Sequence, residues 1–458
     1  MISLAENGKV QKQDLTDKNG NDATGRKIMK TIGLLIAGFA AALSLAVLLL
    51  YVSSLIPDDR VRANFEKSAD ILCEKDVFFC AQKDYGFSKV DRYADSILLN
   101  IAWNLKSDLP SLMWTSYYSS GFQNENNNLY DAVHTGKAES TTESLKEYVR
   151  YWHGSAAITR MLHMFLNIRG IYLLHGILLI LLTLITAGLL ISRKMLAEAI
   201  ALIIGMAGVN IWFVPLSLEY YWTFLCMLVA SMVVLRFAEK GKKEWFLFLF
   251  FMTGILTAYL DFLSTETVTL TVPLLLTYRY ERKKEEKGSG FLQYAGYSML
   301  WGIGYVGMWV SKWILAACIT GENILPYVRG HVSERMGRNI SGLGTFSLLF
   351  GAIKKNLACL FPWGYGAPGA VCGIAILIIA LYIGFVYRSG KKADGDILIY
   401  AAIAAIPYVR YFVLFNHSFL HYFFTYRAQI VTIMILCLAW FDAVNWGIVK
   451  KSRGKRKR

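Results

Sequence analysis

Charge is scarce in this sequence. Asp, Glu, Lys and Arg make up 18% of its 458 residues, against about a quarter in soluble domains. The hydrophobic fraction is 55%, and the two values together exclude an ordinary soluble globular protein. The seven cysteines are scattered without a C-x-x-C pair, which argues against a zinc or thioredoxin-like site. No cleavable signal peptide is evident either. The first 30 residues are polar and end in Arg26, Lys27 and Lys30, and the apolar run after them is too long for a signal h-region. No internal repeat is visible, which weakens a carrier built from inverted repeats.

What is present is a series of apolar runs. They predict an all-α membrane protein with about ten transmembrane helices, at about 31–55, 171–190, 195–214, 217–236, 245–263, 266–281, 291–317, 367–387, 396–415 and 424–446, each long enough or nearly so to cross hydrocarbon. Residues 1–30 read as a polar cytoplasmic tail, disordered over 1–25, 31–449 as a single polytopic membrane domain and 450–458 as a basic cytoplasmic tail. A long helical extracytoplasmic loop, 56–167, joins helices 1 and 2, and a second outer loop covers 318–366. The net charge of +15 is not a nucleic-acid signal. Lys and Arg cluster at the ends of spans, as the positive-inside rule requires, and they place both termini inside. The tail Lys450–Arg458 suits anionic membrane lipids.

The first outer loop is the most informative stretch. Ser88–Leu105 predicts a helix, with Ser88 and Asp91 fitting a capping box and Val90, Ala94, Ile97, Leu98, Ile101 and Leu105 forming an apolar stripe. Asp91 and Asp95 stand one turn apart, on one face, where like charges repel unless a cation or ligand offsets them. The plainer alternative makes Asp91 a cap and Asp95 a solvated charge. Cys73 and Cys80 either pair, as an extracytoplasmic face permits, or stay as two thiols. Residues 119–145 read as a mobile polar excursion. The loop closes on YVRYWHG (148–154), whose Arg150, Trp152 and His153 suit a membrane-interface belt or a sugar face equally.

Ionisable groups at span ends are the other candidates, because charge at membrane depth is costly. Asp261 lies at the outer end of the fifth span. Arg410 approaches the outer end of the ninth and leads into NHSFLHYFFTYR (416–427), with His417, His421, Tyr426 and Arg427. His417 and His421 have i, i+4 spacing but no third ligand nearby, so they make a weak metal motif. The Arg427 fork would match phosphate oxygens. The stretch SLLFGAIKKNLACLF (347–361) is amphipathic and suits the membrane interface.

Four stretches carry a family resemblance: DRYADSILLN (91–100), YVRYWHG (148–154), YLDFLST (259–265) and NHSFLHYFFTYR (416–427). With the order of span, long outer loop and further spans, the chain resembles the GT-C class of integral membrane glycosyltransferases, and a group of uncharacterised polytopic proteins of Gram-positive bacteria. The resemblance implies a lipid-linked sugar donor on a polyprenyl phosphate and a glycan, lipid or protein acceptor on the outer face. It implies an acidic residue in the first outer loop, a place that both Asp58–Asp59 and Asp91/Asp95 occupy. On this reading Asp95 is the base and Asp91 its orienting partner or co-ligand of a divalent cation. Arg150 and Arg427 meet phosphate, and Trp152, His153, Asp261, Arg410, His421 and Tyr426 line the substrate site. The competing expectation is a non-enzymatic flippase, transporter or envelope-assembly partner.

Overall fold

The computed structural model describes residues 3–120, 124–135, 145–238, 243–284, 290–336, 343–389 and 396–446. The basic tail 450–458 lies outside them. The first helix, α1 (Ser3–Ser54), runs back through the stretch expected to be a disordered tail; that stretch has no proline to stop it. Five segments are long and apolar enough to cross a membrane: Gly25–Ser54, Ile168–Ser192, Phe291–Thr320, Trp363–Val386 and Tyr422–Ala443.

After α1 the chain builds a small helical subdomain. It holds α2 (Asp58–Cys73), α3 (Arg92–Trp103), α4 (Leu109–Met113), α5 (Glu125–His134) and α6 (Gly154–Leu162). Two two-stranded antiparallel sheets brace it. β1 (Phe78–Cys80) pairs with β2 (Lys89–Asp91), and β3 (Ser116–Tyr118) with β4 (Leu145–Glu147). Its core is Val61, Phe65, Leu99, Trp103, Leu129 and Val133, all buried. Part of the expected mobile excursion is thus helix α5, held because Leu129 and Val133 pack inward and Asn126 donates to the Leu72 carbonyl. Residues 121–123 and 136–144 of that stretch lie outside the described residues.

The helix bundle follows as α7 (Ile168–Ser192), α8 (Leu196–Gly208), α9 (Tyr221–Ala238), α10 (Lys243–Leu260), α11 (Val268–Lys284), α12 (Phe291–Thr320), α13 (Leu325–Met336), α14 (Thr345–Leu357), α15 (Gly366–Val386), α16 (Asp396–Val413), α17 (Phe415–Leu420), α18 (Tyr422–Thr425) and α19 (Ile430–Ala443). α11 is its axis: Val268 to Tyr278 are all buried. Most of the residues along Gly25–Ser54 of α1 and along Trp363–Val386 are not buried within the protein. α10 and α12 meet at glycines. A Cβ on Gly254 would stand 2.1 Å from the Trp301 carbonyl oxygen, and one on Gly304 2.2 Å from that of Phe251. Small residues let apolar helices approach closely enough for dispersion to hold them.

Two ion clusters pin opposite ends of the bundle. At the end far from the subdomain, Arg279 of α11 donates to Glu198 of α8 and Asp442 of α19, both at 2.6 Å, and to Tyr400 of α16 at 2.7 Å. At the subdomain end, Arg410 of α16 donates to Glu266 at 2.8 Å and to the carbonyls of Leu263 and Ser264.

Candidate functional site

A cavity of about 560 Å³ opens where the subdomain meets the bundle. One wall is α3: Ala94, Ile97, Leu98 and Ile101 line it, four of the six residues of the apolar stripe. The polar lining comes from five separate stretches of chain. Asp91, Arg150, Glu219, His417 and His421 all face it, with Tyr93, Tyr117 and Tyr148 between them.

The local sequence explains how Asp91 gets there. The chain from Gly86 is a short 3-10 turn and then β2, so α3 begins only at Arg92. Asp91 is its N-cap, and its Oδ1 accepts from Ala94 N at 2.9 Å. The expected capping box does not form; Ser88 Oγ instead accepts from Gln82 N and donates to its carbonyl or that of Tyr85. Because Asp91 precedes the helix, it does not share a helical face with Asp95. Burial pushes the Asp91 carboxyl up to about 6, against the pull of the Ala94 N–H and nearby Lys89.

Asp95, expected to be the base, lies off this cavity. Its Oδ1 accepts from Leu218 N at 2.8 Å and its Oδ2 accepts from the Tyr172 hydroxyl. It joins α3 to α7 and to the turn before α9. Burial pushes its carboxyl up to about 7, opposed by those two donors. Asp58 is also engaged elsewhere. Arg160, fully buried, donates to it at 2.7 Å and to the carbonyls of Ser53, Ile56 and Ala102, fixing the exit of α1 against α2, α3 and α6. Asp59 is exposed. Of the acidic candidates, only Asp91 lines the cavity.

The remaining candidates divide. Arg150 reaches the cavity with its guanidinium over the Tyr148 ring, 4.4 Å from the centroid. His421 reaches it too, stacked on Phe424 and 4.6 Å from the His417 ring. Trp152 is buried instead, and its Nε1 donates to the Met308 carbonyl at 2.6 Å. His153 caps α6 from a left-handed conformation and donates Nε2–H to the Tyr148 carbonyl at 2.7 Å. Burial lowers its pKa to about 3, so it is a neutral structural imidazole. Asp261 accepts from Ser264 N and Oγ within its own turn. The Tyr426 hydroxyl is 3.2 Å from Asn210 Nδ2. Arg427 is fully buried between the Tyr220 and Tyr426 rings, with Nη1 on the Phe423 carbonyl; its Nε and Nη2 have no hydrogen-bond partner among the described residues.

Arg410 touches the site through others. Its Nη1 donates to Ser418 Oγ at 3.0 Å and its Nη2 lies 3.4 Å from His417 Nδ1. It thereby holds the histidine wall against the turn that carries Phe262, another lining residue.

Lys146, Glu147 and Glu219 are charged lining residues that sequence reasoning missed, and Glu219 is the buried one. The signal for Glu219 was present, since it is the single acidic residue between Glu198 and Glu239, at the mouth of an apolar run. A divalent cation finds no ligand set, because no group of three His, Cys, Asp or Glu among the described residues could hold one. Cys73 and Cys80 are both free and exposed; Cys73 Sγ instead lies against the Asn126 carbonyl at 3.5 Å.

The cavity can therefore offer a carboxylate of raised proton affinity, a guanidinium and two imidazoles around an apolar floor. Such a set can take a proton from one group and steady an anion on another. The chain matches no family model, and no curated protein sequence or solved structure is similar to it.

Proposed function

We propose that this protein is a membrane glycosyltransferase. It would move a sugar from a polyprenyl-phosphate donor to an envelope glycan, lipid or protein acceptor, with the cavity as its site. The observation that carries the reading is the convergence of Asp91, Arg150, His417 and His421 on one cavity. A second cavity supports it: an apolar groove of about 530 Å³, between α1, α9 and α10. Leu260 lines the groove and Phe262 lines the polar cavity, so hydrocarbon and polar surfaces lie two residues apart, as a lipid-linked substrate needs.

In this reading Asp91 accepts the proton of an acceptor hydroxyl. The acceptor oxygen bonds to the anomeric carbon as the bond from that carbon to the phosphate oxygen breaks. The electron pair leaves with the lipid phosphate, and Arg150 with the two histidines offsets its charge. Four shorter apolar helices, Leu196–Gly208, Tyr221–Phe237, Glu244–Leu260 and Ile397–Val413, with α11 and the five long spans make up the proposed ten. Both termini are then cytoplasmic, and the subdomain faces outward.

The test uses the full chain in proteoliposomes with polyprenyl-phosphate sugars and lipid, peptide or oligosaccharide acceptors. Acceptor-dependent release of polyprenyl phosphate supports the reading. Movement of intact donor across the bilayer, with no glycosidic bond formed or broken, would establish a flippase in its place.

A further inference from the structure

We propose that α14 lies in the bilayer interface on the subdomain side, inserted by one face into lipid hydrocarbon and carrying one wall of the cavity on the other. This stands whether or not the cavity is catalytic.

Phe346, Phe350 and Leu357 are exposed, the first two at 77% and 65%. At about 100° per residue they project within about 40° of one another. The opposite face is Leu348, Ala352 and Asn356, all buried. Two large phenylalanines side by side need a cover, because such a patch is rare on a surface facing water.

The flanking chain says what covers it. α14 ends at Leu357, shortly before the apolar span Trp363–Val386 begins, so its carboxyl end is tied to the level where that span leaves the membrane. Past α14 the exposure continues through Phe361 and Trp363 into Val371 and Ile374 of α15. The chain thus passes from the apolar face of α14 to that of a span through exposed apolar residues. Charge agrees with a phospholipid occupant. α14 contains Lys354 and Lys355 and no acidic residue. Lys354 is exposed beside the phenylalanine face, where its stem can follow the helix while the ammonium rises to headgroup phosphates.

The buried face transmits the position. Asn356 Nδ2 donates to the Ser418 carbonyl at 3.0 Å, and its Oδ1 accepts from Thr425 Oγ1 at 2.8 Å. Lys355 Nζ stands over the Phe419 ring, 3.6 Å from its centroid. Those contacts bracket His417 and His421, so the depth of α14 in the bilayer sets the height of the histidine wall.

Spin labels test this in the full chain, reconstituted in phosphatidylcholine–phosphatidylglycerol nanodiscs, with the exposed native cysteines replaced by serine. Labels at Phe346→Cys and Phe350→Cys are compared with Ile374→Cys on a span and Lys83→Cys on the subdomain. High access to oxygen and low access to a nickel chelate, as at position 374, is the expected result. Ready access to nickel, as at position 83, would place the helix in water and overturn the proposal. Shielding from both reagents would mean that protein covers the face, and would overturn it equally. Two positions on one face guard against a single variant that fails to fold.

Discussion

Arg410 and Glu266 form a buried ion pair, with Nε 2.8 Å from Oε1 and both side chains 5–6% exposed. The pair joins α16 to the turn that precedes α11, and Arg410 extends the link to Ser418. Removing one partner leaves the other charge desolvated and unpaired. Arg410→Ala is expected to cost about 3–5 kcal/mol, read as a lower thermal midpoint in detergent. Arg410→Ala/Glu266→Ala together should cost less than the sum of the single variants. Strict additivity would show that the pair does not act as a unit.

Asp91 and Asp95 are expected to behave differently. On the proposed function, Asp91→Asn lowers turnover about 10²-fold or more, the scale of a lost general base. Asp95→Asn keeps an oxygen for the Leu218 N–H and changes turnover only a few-fold. Polyprenyl-phosphate release by the two purified variants is the measurement. Equal loss in both would return Asp95 to the chemistry.

The same two residues set a pH dependence. Both carboxyls have folded pKa values above the ordinary value, Asp91 about 6 and Asp95 about 7, so the folded state binds more protons than the unfolded one. The stability these two carboxyls contribute therefore falls as pH rises from about 4 to about 7. The buried His153, with its pKa lowered to about 3, acts the other way up to about pH 6.5, so the readout is the comparison with Asp95→Asn: relative to that variant, the wild type should lose thermal midpoint between pH 5 and pH 8. Turnover should move the other way, rising through about pH 6 as Asp91 ionises. Midpoints of wild type and Asp95→Asn that change in parallel between pH 5 and pH 8 would contradict this assignment.

Gly254 and Gly304 allow α10 and α12 to touch. Gly254→Val has no room against the Trp301 carbonyl, and backbone cannot move aside as a side chain can. Strain of this kind costs typically about 1–3 kcal/mol, occasionally more. Reduced yield of folded protein is expected, whereas Gly296→Ala, which meets nothing within 4 Å, should express normally. Size-exclusion profiles of the two variants decide it.

Cys73 and Cys80 should both react with maleimide in the folded protein, since neither is bridged. Cys80→Ser should then leave the stability within about 0.5 kcal/mol of wild type. A mass two units below the reduced chain, lost on treatment with reductant, would show a bridge.

Much of the helical layout was legible in the sequence, because an apolar run long enough to cross lipid must satisfy its backbone internally and so must be helix. The apolar stripe of α3 was legible for a different reason, its helical periodicity, and it does form a wall. Its beginning was misread by a few residues. The Ser88 hydroxyl found partners in the preceding turn, β2 took the next three residues, and Asp91 became the cap. One boundary shift of that kind separates two carboxylates that a longer helix would have aligned.

What only the tertiary structure decided is which polar residues meet. Asp91 and His421 are 330 positions apart, and nothing in the spacing of either reports the other. Trp152, His153, Tyr426 and Arg427 looked equivalent to Arg150 and His421 as polar groups near span ends. Burial and hydrogen bonding separate them, and both depend on contacts formed by distant chain. The sequence determined that this protein is helical and apolar enough for a membrane. Packing of the subdomain on the bundle determined that Asp91, Arg150, Glu219, His417 and His421 face one space, because a cavity is made by the elements around it and no single element contains it.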